Sequence, residues 1–297
     1  MKTLLTKKSF PKWINSFDTY IFDCDGVLYA SGKSLPGAKK LLHLLKRKKK
    51  QTYFLTNNST KSFPIFQSTL KKFEFPAIEK KQLVTPFTSF LSVLDNLETF
   101  DKSKNKVFAI VPPVIDSELK KNGINVLSAE HHTNPFKIFE GESFQLDQNV
   151  GAILVSNDMD FSWSKAAIAG LYLNKYPNLP FYKTNPEPSC PINNYRLPST
   201  GSIARMIEVA TGREAQNVGK PEMYGFSFIT KHLQANNKEV NKNRICMLGD
   251  RIITDMKFAE NSGISSCWVG TGVSSMAEAL NSTIKIDYII KNFEELL

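Results

Sequence analysis

Two aspartates, Asp23 and Asp25, stand two residues apart where the apolar run of "YIFDCDGVLYA" stops. In a strand, residues i and i+2 point to the same side. Both carboxylates can therefore face one point at the strand's carboxyl end, the edge where open α/β sheets bind ligands. Two anions so close need a compensating cation, and a hard divalent ion with oxygen ligands suits them. Gly26 permits a sharp departure of the chain behind the pair. Alone, D-x-D-G also reads as a surface turn, because Asp and Gly are common turn residues.

Three later stretches could complete such a site. "TNNST", Thr56 to Thr60, offers hydroxyls, amides and backbone N–H groups at an expected helix entrance. Such groups bind phosphate oxygens, although Ser, Thr and Asn are equally favoured as plain helix caps. "NVGKP", Asn217 to Pro221, can project Lys220 into the same cleft, where a cation would neutralise phosphate and keep a carboxylate ionised. Among so many lysines it also reads as an ordinary surface residue. "MLGDRIITD" runs a second apolar strand into acid at Asp250, with Asp255 five residues on. Acids from the ends of two strands can complete one metal site.

The intervening pattern supplies elements to position these residues. "TYIFD", "QTYFLTNN", "KVFAIV", "GAILVS", "NRICMLGD" and "ISSCWVG" read as strands. "GAKKLLHLLKRK", "FPIFQSTLKKFEF", "SWSKAAIAGLYLNKY", "GSIARMIEVATG", "EMYGFSFITKHLQ" and "DMKFAENSG" read as helices, and "IDYIIKNFEEL" as a final strand and helix. The alternation predicts an α/β fold with a parallel sheet. Leu179 to Thr200, with Pro180, Pro186, Pro188, Pro191 and Pro198, reads as a long irregular loop.

D-x-D-G-V, strand-T-N-N, G-K-P and G-D-R-x-x-T-D, in that order, resemble the four motifs of the haloacid dehalogenase (HAD)-like superfamily of phosphotransferases. "FDCDGVL", "TNNSTKS", "VGKP" and "GDRxxTD" are similar to its 4-nitrophenylphosphatase, phosphoglycolate phosphatase and pyridoxal phosphatase branch. The resemblance spans nearly the whole chain and is weakest in the middle. It implies a doubly wound parallel-sheet (Rossmann-like) core, residues 1–100 and 216–297, with an inserted α/β cap domain, residues 101–215.

The resemblance also implies roles. Asp23 would be the nucleophile and Asp25 the general acid and base. Thr56 would hold the transferring phosphoryl group, helped by backbone N–H groups near Asn57 and Asn58, and Lys220 would neutralise Asp23 and the phosphate. Mg²⁺ would be ligated by Asp23, the carbonyl of Asp25 and Asp250, with Asp255 a supporting acid. Tyr195 and Arg196, in the proline-rich stretch, are the candidates for contacting a leaving group. They could equally just decorate the loop. Glu187 stands where the branch usually has Asp, and "PSTGS" replaces the common "PGAGS", so the substrate stays open. A small phosphorylated metabolite is expected as the partner, and the resemblance allows a homodimer through the cap. The alternative is a catalytically silent phosphate- or metal-binding regulatory protein of the same fold.

The chain has 297 residues, 41% hydrophobic and 22% charged, ample for a soluble core. Net charge is +10, which suits anionic substrates. No nucleic-acid recognition motif accompanies it, so a nucleic-acid partner is not expected. The dense run Lys46 to Lys50 reads first as a solvated helix end, where the helix dipole favours cations, and second as a polyanion contact or localisation signal. Cys24, Cys190, Cys246 and Cys267 form no C-x-x-C pair, which suggests reduced thiols and a cytoplasmic setting. No signal peptide or membrane span is read. His131 and His132 are expected in a loop, Cys24 in packing, and Trp163 in core or cap packing.

Overall fold

The computed structural model describes residues 2–60, 62–132, 134–141, 144–192, 195–236 and 239–297. Its strands are β1 Thr3–Leu4, β2 Thr19–Phe22, β3 Tyr29–Ala30, β4 Lys33–Ser34, β5 Gln51–Leu55, β6 Leu83–Val84, β7 Lys106–Ile110, β8 Asn125–Leu127, β9 Val150–Val155, β10 Phe181–Lys183, β11 Ser189–Ile192, β12 Tyr195–Pro198, β13 Gln216–Asn217, β14 Ile245–Gly249, β15 Ser265–Val269 and β16 Tyr288–Ile290. Its helices are α1 Phe10–Ser16, α2 Ala38–Arg47, α3 Phe63–Lys72, α4 Pro86–Asp95, α5 Pro113–Lys121, α6 Trp163–Lys175, α7 Thr200–Thr211, α8 Tyr224–Ala235, α9 Lys257–Ser262 and α10 Met276–Asn281.

The chain divides into two compact units. One comprises residues 1–58, 63–88 and 220–297, the other residues 59–62 and 89–219. The expected boundaries after residues 100 and 215 therefore move. Phe90 of α4 stacks edge-on against Tyr182 of β10, which ties that helix to the second unit. β13 pairs with β10, which carries the second unit's sheet past residue 215.

The first unit is built on a seven-stranded parallel sheet in the order β1-β16-β15-β14-β2-β5-β6. Both faces are covered, so β2 and β14 are buried throughout and, apart from Thr19, apolar. Alternation along β2 sorts its residues. Tyr20 and Phe22 join one core with Trp13 of α1, Leu41 of α2 and Phe66 of α3. Ile21 joins the other, with Phe226 of α8 and Phe258 of α9. Continuing the alternation, Cys24 falls in the first core, so packing accounts for it, and Asp23 and Asp25 share the side of Ile21.

Helix α2 follows from Leu41, Leu42 and Leu45 on one face and cations in its last turn. It is preceded by Gly37 at φ +79, where a Cβ would lie 2.4 Å from the backbone nitrogen of Glu294. The expected helix after β16 does not form. Asn292 Oδ1 instead accepts from the backbone N–H of Glu295 at 2.9 Å, closing a turn there.

The second unit has a five-stranded parallel sheet, β13-β10-β9-β7-β8, with α6 and α7 packed over Phe108, Ile153 and Phe181. The stretch expected to be an irregular loop contains β10 and an antiparallel hairpin, β11–β12, in the register Ser189↔Pro198. Prolines survive there because a two-stranded ribbon is all edge and needs no third ladder. Asn193 and Asn194 of that stretch lie outside the described residues. Trp163 is not core: it is half exposed and stacks on Phe136 at 4.7 Å. His131 ends a short 3₁₀ turn, Ala129–His131, while His132 lies in the loop after it with its Nε2 2.8 Å from Tyr172 Oη. Among the described residues no helix is long and apolar enough to cross a membrane, and all four cysteines are free.

Candidate active site

Adjacent strands of the first unit's sheet end together. β2 delivers Asp23, β14 delivers Asp250 and β5 delivers Thr56 to the same carboxyl edge. Here the strand order departs from chain order on either side of β2, the kind of position where doubly wound sheets open a crevice. Asp23 is buried and locked by its own N–H, which donates to Leu248 O at 2.8 Å. Asp25 is exposed, and the chain turns behind it at Gly26 with φ +90.

Lys220 is almost fully buried beneath this edge. Its Nζ donates to Asp23 Oδ1 at 2.6 Å and to Leu55 O at 2.9 Å, and meets Asp255 Oδ1 at 2.7 Å. Burial opposes the ammonium, but Asp23 and Asp255 outweigh it and hold the lysine's pKa above its ordinary value. Asp255 sits on a wide π-helical turn, Ile252–Met256, and its Oδ2 accepts from the N–H of Arg251 at 3.0 Å.

Asp23, Asp250 and Asp255 bring one oxygen each within 4.8 Å of one another, all buried. Burial pushes the Asp23 carboxyl up, against the pull of Lys220, and burial with the neighbouring Asp255 pushes Asp250 up to about 6. Three buried carboxylates face one ammonium, so the cluster carries surplus negative charge. Asp250 Oδ2 accepts from Val273 N–H at 2.7 Å, while among the described residues its buried Oδ1 has no hydrogen-bond partner. An orphaned carboxylate oxygen in such a cluster fits a hard divalent cation.

The polar residues after β5 tie Lys220 and Asp25 in place. Asn57 Nδ2 donates to Lys220 O at 3.0 Å and Asn57 Oδ1 accepts from Lys220 N–H at 2.8 Å, a reciprocal clamp on the lysine's backbone. Asn58 Nδ2 donates to Asp25 Oδ2 at 3.2 Å. Thr56 is buried, and its hydroxyl accepts from Asn58 N–H at 3.0 Å. The expected helix entrance is displaced, since α3 begins only at Phe63; Lys61 between them lies outside the described residues.

The loop after β15 went unrecognised in the sequence. Thr271 Oγ1 donates to Gly26 O at 2.6 Å, and a Cβ on Gly272 would lie 1.9 Å from Asp250 Oδ2. Trp268 Nε1 donates to Asp250 O at 3.0 Å. The available signal was "WVGTGVSS": a glycine-rich exit from a strand that neighbours β14. Tyr195 and Arg196 stand exposed on β12 of the second unit.

Known proteins share this arrangement's sequence. The pattern of the haloacid dehalogenase-like hydrolases matches residues 20–125, and that of the HAD-hydrolase-like family matches residues 217–296. A 4-nitrophenylphosphatase of Schizosaccharomyces pombe is 30% identical over 303 residues, covering 99% of this chain and 98% of its own. The chain belongs to the haloacid dehalogenase-like hydrolases. Mouse (Mus musculus) chronophin is 33% identical over 261 residues, covering 87% of this hydrolase and 82% of its own chain. The crystal structure of a hypothetical Pyrococcus horikoshii protein superposes with a TM-score of 0.77 at 27% identity, covering 94% of this hydrolase and 97% of that chain. Asp23, Asp25, Thr56, Asn57, Asn58, Lys220, Asp250 and Asp255 thus all lie in the first unit of this hydrolase, and its phosphatase relatives make it a phosphomonoesterase-type enzyme.

Proposed function

We propose that this hydrolase cleaves small phosphate monoesters by way of a phosphoryl group carried on Asp23. The observation that carries the reading is the Lys220 bridge, 2.6 Å to Asp23 and 2.7 Å to Asp255, beside Asp250 Oδ1, which has no hydrogen-bond partner among the described residues. Lys220 fixes Asp23 Oδ1 and so orients the carboxylate for attack on phosphorus, as covalent catalysis requires. As the new P–O bond forms, the ester P–O bond breaks, and Asp25 gives its proton to the departing alkoxide oxygen. Asp25 then takes a proton from a water, which attacks phosphorus and breaks the bond to Asp23, releasing inorganic phosphate. Asp25 is suited to both transfers because it is exposed and is steadied by Asn58. Thr56 and the N–H groups beside it are assigned to the phosphoryl oxygens.

Mg²⁺ is assigned to Asp23, Asp250 and the carbonyl of Asp25, where it would neutralise charge on the phosphoryl oxygens. Asp255, occupied by Lys220, supports rather than ligates. Leaving-group choice is assigned to the inserted unit, where Tyr195 and Arg196 are the side chains to test. Acid-quenched enzyme supplied with Mg²⁺ and 4-nitrophenyl phosphate should yield a phosphorylated peptide containing Asp23 by mass spectrometry. Asp23→Asn should yield none and lose turnover by roughly 10²–10³-fold or more. Wild-type turnover in that variant would overturn the reading.

A further inference from the structure

The basic run after α2 has no part in the chemistry above, yet it borders a cavity of about 580 Å³. The cavity opens where β5 begins, at Gln51 and Thr52. That is the amino-terminal edge of the sheet, opposite the edge that carries Asp23 and Asp250. Its volume lies within the range of small-molecule sites.

Leu42, Phe54 and Ile78 are among its apolar lining residues, and Lys46, Lys49 and Lys50 line it as well. Glu79 is the one carboxylate lining it. A helix end alone would explain a cation or two here. However, the terminal carbonyls of α2 are already taken by backbone: Lys48 N–H donates to Leu44 O, Lys49 N–H to Lys46 O and Lys50 N–H to Leu45 O, each at 3.0 Å. Among the described residues Lys46 and Lys49 make no hydrogen bond or ion pair through their side chains. Lys50 lies 3.3 Å from Asp18 Oδ1, but Asp18 is shared with Arg244, which donates to it at 2.8 Å. The polar wall is rigid. Gln82 Nε2 donates to Thr52 O at 2.8 Å, and His232 Nδ1 lies 3.0 Å from Tyr53 Oη.

The geometry points to a second binding site, for a small organic anion with an apolar body, between α2, β5 and α8. The ammonium groups take the anionic end, and Leu42, Phe54 and Ile78 take the body. A concave wall of mixed polar and apolar lining suits such a molecule better than a polyanion, which needs an extended basic stripe. The site is independent of the phosphatase reading, since none of its residues touches the acid cluster.

Fluorescence titration of the full chain with anilinonaphthalenesulfonate, an aromatic body with one anionic group, tests this. Uncharged N-phenylnaphthylamine is the control probe. One saturable site for the anion is expected. Its Kd should rise at least about tenfold in K46E/K49E and by less in K46Q/K49Q, a difference of about 1.4 kcal/mol per factor of ten. The uncharged probe should change little in either. Ala77→Trp, on the cavity wall, should weaken both probes. Both double lysine variants leave the acid cluster untouched, so turnover of 4-nitrophenyl phosphate should stay at the wild-type level and reports correct folding. An anion Kd unchanged in K46E/K49E, an absence of saturation, or equal weakening of both probes by charge reversal would each overturn the site.

Discussion

Lys220 Nζ and Asp255 Oδ1 meet at 2.7 Å with both side chains at most 2% exposed. The pair lies beneath Asp23, so the lysine serves two carboxylates at once. Removing one partner of a buried charge set leaves the others uncompensated, at a cost of roughly 3–5 kcal/mol. Lys220→Met should therefore lower stability by that order as well as abolish turnover, read by urea unfolding. Adding Asp255→Asn should recover part of the stability and none of the activity. If the double variant were no more stable than the single one, the pair would not be coupled.

Gly272→Ala tests the close approach around Asp250. Its Cβ would lie 1.9 Å from Asp250 Oδ2 and must displace it. Activity should fall by about 10²-fold, the order expected when a catalytic group is misplaced by about 1 Å, and the Mg²⁺ concentration for half-maximal turnover should rise. Gly170→Ala is the contrast. It sits within α6, where the new methyl meets only Thr211 Cγ2 at 3.7 Å. It should add about 0.5–1 kcal/mol of stability, seen as a higher Tm, with unchanged kcat.

Asn58→Ala removes the amide that donates to Asp25 Oδ2. A hydrogen bond to a charged group contributes about 1.5–3 kcal/mol. kcat should fall by at least roughly tenfold, while KM for 4-nitrophenyl phosphate stays near the wild-type value. A change confined to KM would place Asn58 in substrate binding instead.

Asp18 offers a pH test away from the site. The Arg244 guanidinium, against some burial and with help from Lys50, holds its carboxyl down at about 2, below the ordinary 3.8. A depressed carboxyl stabilises the fold above its unfolded pKa, and that contribution is lost as pH falls from about 4 to about 2. Asp18 is more than half exposed, so solvent screening keeps the effect below about 1 kcal/mol. Asp18→Asn should be less stable than wild type at pH 7 by that order, and the two should converge near pH 2. A constant difference down to pH 2 would reject the linkage.

The sequence made the strand-end acids legible because each follows a fully buried strand, and burial on both faces writes an unbroken apolar run. It could not tell what those acids touch. Lys220 reads as one lysine among many until β2 and β5 are laid side by side. Nor could the sequence tell that the side-chain amides of Asn57 and Asn58 reach Lys220 and Asp25, contacts set by tertiary adjacency. Gly272 was silent for the same reason: its lack of a Cβ matters only because β15 lies beside β14. The hairpin at Ser189–Pro198 was hidden by its prolines, which argue against strands only where a third strand must pair.

The chain order of the first unit has a consequence for biosynthesis. β2 and β5 leave the ribosome early, whereas β14, which flanks β2 on its other side, begins at Ile245. Until that segment emerges, the central strand bearing Asp23 has an open, apolar edge, and pairing across so long a separation is slow. The second unit, mostly residues 89–219, is synthesised meanwhile and can fold within a continuous stretch. During synthesis the second unit is thus complete in sequence before the first unit's sheet can close, and the open edge of β2 is the aggregation-prone feature of that interval.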